Sequence, residues 1–167
     1  WKENKTVDEA ISFLSEFTKT YEARPNIKVI MCPAYLAVPQ VSAFVKSNNL
    51  QVEVGVQDVS KFSEGAHTAE VSAYEASEFA NFSIIGHSER RSRGDTDDDV
   101  KTKVEMAIKN NLEPIVCVIN ENVPVPQGTK IIAYEPVEAI GTGNPDTPEN
   151  AESIASSIKS KNSQVQY

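Results

Sequence analysis

Two hydrophobic periods alternate along the chain. Val7, Ala10, Ile11, Leu14 and Phe17 recur at helical spacing behind Thr6-Val7-Asp8-Glu9, whose hydroxyl and carboxylate stand as in a capping box. This predicts an amphipathic helix. Ile27 to Cys32 is a short, nearly continuous apolar run stopped by Pro33, the pattern of a strand buried on both faces. Val38, Val41, Phe44 and Val45 form a second helical stripe ending at Asn48-Asn49, and Val52, Val54 and Val56 alternate as a strand. Ser72-Ala73-Tyr74-Glu75 offers another capping box for a short helix, followed by a strand from Phe82 to Ile85. Val100, Val104, Ala107 and Ile108 predict a helix from Asp99, and Pro114 to Ile119 and Lys130 to Tyr134 predict two more strands. Thr147 as N-cap and Pro148 in the first helical position open a last helix along Ala151, Ile154, Ala155 and Ile158. Val165 to Tyr167 begins a further strand.

Strands alternating with helices imply βαβ units, a parallel sheet and the α/β class. One connection breaks the rhythm. Asn120 to Thr129 carries Pro124, Pro126 and Gly128, a spacing that excludes a helix interior, so a helix-free extended connection is expected there. No internal repeat, low-complexity tract or interdomain linker interrupts the pattern, and residues 1–167 read as one domain.

Composition narrows the function classes. Of 167 residues 40% are hydrophobic, and 16 basic against 24 acidic residues leave a formal charge of −8 with no basic stripe. Nucleic acid and anionic membrane surfaces are therefore excluded as expected partners. No apolar stretch reaches the roughly 18 residues of a spanning helix, and no signal peptide is legible. Cys32 and Cys117 lie far apart in apolar runs, which matches neither a disulfide framework nor a zinc motif and points to a reducing cytoplasm. The run Asp95, Asp97, Asp98 and Asp99 suits a helix N-terminus better than a metal site.

In parallel α/β folds the chemistry gathers at the C-terminal ends of the strands. Reading outward from Ile85 gives Gly86-His87-Ser88-Glu89-Arg90-Arg91, and from Tyr134 gives Glu135, then Pro136-Val137-Glu138-Ala139-Ile140-Gly141-Thr142-Gly143. An imidazole and a carboxylate thus stand at two strand exits, and the glycines offer exposed N–H donors for an anion. A lone Glu after a strand is usually a solvated rim residue and a lone His a hydrogen-bonded structural one, the reading given to His67. Cys117 reads as a buried apolar residue.

The segments IIGHSERR and AYEPVEAIGTG, each behind a strand, resemble the triosephosphate isomerase family. Trp1-Lys2, Gln57-Asp58-Val59, Gly65-Ala66-His67-Thr68-Ala69-Glu70 and Glu113-Pro114-Ile115-Val116-Cys117-Val118 extend the resemblance over nearly the whole chain. It implies Glu135 as the general base, His87 as the neutral electrophile and Lys2 as the cation that orients substrate. It also implies Gly141 as a backbone donor to the substrate phosphate, Ser88 and Glu89 as supporting residues, and Thr68 and Glu70 at the contact of a homodimer. The implied partner is a small phosphorylated triose, with no metal or organic cofactor.

The resemblance further implies a (β/α)8 TIM barrel of about 250 residues. This chain shows six strands from Ile27 to Tyr167, with Trp1-Lys2 as the tip of a preceding one. The expected fold is therefore an incomplete barrel, truncated at both ends, with no helix after the barrel's fifth strand at 114–119 and no eighth βα unit. Ala69 stands where the family usually has Gly, and Glu138 where it often has Trp. The expected activity is interconversion of dihydroxyacetone phosphate and D-glyceraldehyde 3-phosphate, with weak or no turnover in a shortened chain. The alternatives are a non-catalytic partial barrel that self-associates and another sugar-phosphate isomerase or epimerase.

Overall fold

The capping box expected at Thr6 forms: Thr6 Oγ1 accepts the Glu9 N–H at 3.3 Å and Glu9 Oε2 accepts the Thr6 N–H at 2.7 Å. Helix α1 follows over Val7–Thr20 and buries Ala10 and Leu14. The computed structural model describes residues 1–136, 139 and 142–167. After α1 come β1 (Ile30–Met31), a 3-10 turn over Tyr35–Ala37, α2 (Val38–Ser47) and β2 (Glu53–Val56). The chain continues through α3 (Ala73–Ser77), β3 (Phe82–Ile85), α4 (Ser88–Ser92), α5 (Asp97–Lys109) and β4 (Glu113–Val118), then β5 (Ile131–Tyr134) and α6 (Pro148–Lys161). Ser72 and Glu75 complete the second capping box. Thr147 caps α6 by accepting the Asn150 N–H at 3.1 Å.

The five strands are parallel in the order β1-β2-β3-β4-β5 and curl into a half-barrel, an incomplete TIM barrel. Leu14, Val41, Val56, Ile85, Val100, Val104, Val116 and Val118 are fully buried between sheet and helices. No helix lies between β4 and β5, as the prolines of 120–129 require. Among the described residues no helix is long and apolar enough to cross a membrane.

Several expectations need correction. The apolar run Ile27 to Cys32 forms a ladder only at Ile30–Met31, and Ile27 is 56% exposed. The strand is the sheet's edge beside β2, and within the run only Met31 is buried while Val29, Ile30 and Cys32 are half-buried, so it is not buried on both faces. The helix expected from Asp99 starts at Asp97, because Thr96 caps it in a box with Asp99 that the apolar stripe does not reveal. Every residue of β5 is half-buried, and of the stripe expected to bury α6 only Ile158 is fully covered. Val165 to Tyr167 is not a regular strand. Even so, the Tyr167 N–H donates to Lys130 O at 3.1 Å and its carbonyl accepts the Ile132 N–H at 2.9 Å, the bonding of a parallel pair.

Ala69 has φ of +73°, a left-handed conformation that glycine adopts freely and a Cβ opposes. Ala69→Gly is expected to stabilise the fold by about 0.5–1 kcal/mol, read from the midpoint of chemical denaturation.

Candidate active site

The exits of β3 and β5 converge although β4 lies between them. Ile85 pairs with Val116 on β4, and two β4 residues further on Val118 pairs with Tyr134, so the chain leaves β5 directly into Glu135. The Glu135 N–H extends that ladder by donating to Val118 O at 2.8 Å. From the other exit His87 caps the short helix α4. His87 Nε2 and Glu135 Oε1 meet at 2.8 Å, with the side chains 23% and 12% exposed.

The hydrogen bonds fix the tautomer. His87 Nδ1 accepts the Glu89 N–H at 3.2 Å, so the ring proton resides on Nε2 and is donated to the Glu135 carboxylate. Glu135 Oε2 also accepts the Ser88 N–H at 2.9 Å, while Ser88 Oγ stands 3.4 Å from Oε1. Beneath the carboxylate lies Cys117. Burial, together with the negative charge and hydrogen bond of Glu135, pushes its thiol up to about 12.

Lys2 enters the same region from the N-terminal segment. Its ammonium pairs with Glu89 Oε1 at 2.6 Å and holds that carboxyl below the usual carboxylate range. Both side chains are more than half exposed, so the pair contributes little to stability. Gln57 ties the segment down, its Nε2 donating to Lys2 O at 2.8 Å and to Cys32 O at 3.0 Å. A cavity of about 850 Å³ opens here, with Trp1, Lys2, Gln57, His87 and Glu89 in its wall. Glu135 is not part of that wall, because its carboxylate is turned onto Ser88.

A buried ion cluster supports α4 from below. Lys103 Nζ lies 2.7 Å from Asp58 Oδ2 and 2.5 Å from Asp95 Oδ2, with only 5% of its side chain exposed. Arg90 adds its charge at 2.9 Å from Asp58 and 3.4 Å from Asp95. Burial still outweighs Lys103 at Asp58, whose carboxyl lies above its ordinary value. Among the described residues no three His, Cys, Asp or Glu side chains are grouped as a metal site would need.

Of the residues singled out in the sequence, the structure brings together Glu135, His87 and Ser88, and sets Lys2 on Glu89 beside them. Thr68 and Glu70 stand on the exposed loop after β2, with Glu70 in the wall of the same cavity as Lys2, His87 and Glu89. His67, on the same loop, stacks on Phe62 at 4.2 Å. Gly141 and Glu138 fall outside the described residues. Sequence reasoning missed Cys117 as a neighbour of Glu135, and Gln57 as the anchor of Lys2. Only strand register could have revealed the first, because Cys117 pairs with Ala133, two residues before Glu135.

A family model described as Triosephosphate isomerase matches residues 1–166. The chain belongs to the triosephosphate isomerase family. A triosephosphate isomerase of Mesomycoplasma hyorhinis is 37% identical over 183 residues, covering 95% of this chain and 75% of the relative. One from Endomicrobium trichonymphae is 34% identical, covering 95% of this chain and 73% of the relative. One from Clostridium botulinum (strain ATCC 19397 / Type A) is 37% identical, covering 90% and 70%. The convergence of His87 and Glu135 thus occurs in a chain that this family matches almost from end to end.

Burial also pushes the Cys32 thiol up, to about 11. Both thiols stay protonated in the fold at pH values where an unfolded thiol, near 9, has ionised. The stability they contribute is complete below pH 9 and is lost as pH rises, up to about 11 for Cys32 and about 12 for Cys117. Denaturation between pH 9 and 11 should show stability falling by about 1.4 kcal/mol per pH unit for each thiol, with little change below pH 9 and a shallower slope in Cys117→Ala.

Proposed function

We propose that this chain carries the site of an aldose–ketose isomerase that interconverts dihydroxyacetone phosphate and D-glyceraldehyde 3-phosphate, serving glycolysis and gluconeogenesis in the cytoplasm. The observation that carries the reading is the 2.8 Å approach of the neutral His87 Nε2–H to the Glu135 carboxylate. A proton alpha to a carbonyl is removed readily only by a base shielded from water, with a donor placed where negative charge develops. Glu135, 12% exposed, and His87 supply those two functions.

Glu135 takes the proton from the hydroxymethyl carbon of the ketose. That C–H electron pair becomes the new C=C bond, and the carbonyl electrons move onto oxygen. His87 Nε2–H donates to the enediolate oxygen and passes protons between the two oxygens. Glu135 then returns its proton to the former carbonyl carbon, and the aldose forms with no redox change. To reach a substrate in the cavity the Glu135 carboxylate must leave the Ser88 N–H, so Ser88 serves as its resting partner. Lys2 is the cation that orients the anionic substrate, with Glu89 holding the ammonium in place. Gly141 is assigned a donor to the phosphate, and no metal or organic cofactor is required.

A homodimer is the proposed assembly, with Thr68 and Glu70 at its contact, because their loop stands fully exposed beside the cavity. A second reading, a non-catalytic partial barrel that self-associates, draws on β5, which is half-buried throughout.

A coupled assay separates these readings. Turnover that survives a chelator and falls on the order of 10²–10⁴-fold in Glu135→Gln is expected, and undiminished activity in that variant removes Glu135 from its role. A folded chain without turnover that associates in a size measurement favours the partial barrel, whereas loss of activity with chelator favours another sugar-phosphate isomerase or epimerase.

A further inference from the structure

Between β3 and His87 the backbone makes a bend that requires glycine. Gly86 has φ of +73°, and a Cβ there would meet Val100 Cγ2 at 3.0 Å, Val100 Cγ1 at 3.2 Å and Arg91 Nη2 at 3.3 Å. The Arg91 guanidinium therefore lies over the bend itself. Its Nε–H donates to the Gly86 carbonyl at 2.9 Å, and Nη1 donates to Asp97 Oδ1 at 2.6 Å. The Arg91 side chain is 17% exposed against 55% for Asp97, so the fork is held inside the fold and anchored at its rim. Nη2 is buried and has no hydrogen-bond partner among the described residues. The positive charge also acts on Cys117, against the effect of Glu135.

We propose that Arg91 is a positioning residue for His87. By holding the Gly86 carbonyl it fixes the peptide plane that leads into His87. Nδ1 is thereby kept on the Glu89 N–H, and Nε2 faces Glu135 or a substrate oxygen. A lysine would keep the charge and the attraction to Asp97. A single ammonium, however, has no planar fork to hold a carbonyl and a carboxylate from one rigid group. The catalytic half of this inference rests on His87 being the electrophile of the proposed reaction, whereas the structural half is independent of turnover.

Arg91→Lys and Asp97→Asn, made in the full chain, test it by imidazole nitrogen NMR at neutral pH together with steady-state kinetics. The unaltered protein should show His87 with a protonated Nε2 and a hydrogen-bonded, unprotonated Nδ1. Arg91→Lys should shift or broaden the His87 signals and leave those of His67 in place. Its kcat should fall on the order of 10- to 100-fold with KM changed less than about twofold. Asp97→Asn removes the anchor but leaves Nε on Gly86, so it should give the same changes at smaller size. It decides the question if Arg91→Lys does not fold. His87 signals unchanged in the folded variants overturn the proposal, whether or not the protein turns over substrate. His87 signals that respond in a protein without turnover uphold the positioning and overturn the proposed reaction instead.

Discussion

Four register pairs join β3 to β4 and four more join β4 to β5. Because all three strands run the same way, their exits open at one end of the sheet. Residues 48 positions apart in sequence, His87 and Glu135, are brought to 2.8 Å by that ladder and by nothing local. A slip of one residue in β5 would turn Glu135 to the opposite face and leave the imidazole without its carboxylate. The buried valines and isoleucines that hold this register therefore also determine the site's geometry.

Charge is organised against the overall balance. The chain carries a formal −8, yet cations stand at each joint around α4. Arg90 and Lys103 meet Asp58 and Asp95 beneath it, Arg91 meets Gly86 and Asp97 at its side, and Lys2 meets Glu89 at its start. A helix of five residues is too short to be stable by itself, so these partners hold it in place. Lys103 is the strictest member. It is nearly fully buried between two carboxylates, and its removal would leave Asp58 and Asp95 with the more exposed Arg90 as their cation among the described residues.

On its outer sides the sheet is less finished. β1 forms two register pairs, β5 is half-buried throughout, and α6 has a single fully buried side chain, Ile158. His87 leaves the better packed part, where β3 and β4 bury most of their residues and α5 covers them with Val100, Val104 and Ala107, whereas Glu135 leaves the half-buried β5.

Much of this was legible in local pattern. The boxes at Thr6 and Ser72, the Thr147 cap, the helical stripes, the alternation of strands with helices and the helix-free segment 120–129 follow from residue type and spacing, since capping, periodicity and proline sterics act within a few residues. The segments after β3 and β5 already set an imidazole, His87, and a carboxylate, Glu135, at two strand exits. Other facts depend on how distant segments meet. That Cys117 underlies Glu135, that Gln57 anchors Lys2, that Lys103 is buried between Asp58 and Asp95, and that Arg91 grips the Gly86 carbonyl all require the register of the parallel sheet. The burial expected of the Ile27 to Cys32 run failed for the same reason. A hydrophobic pattern states which face seeks cover, but only the assembled sheet decides whether a neighbour is there to give it.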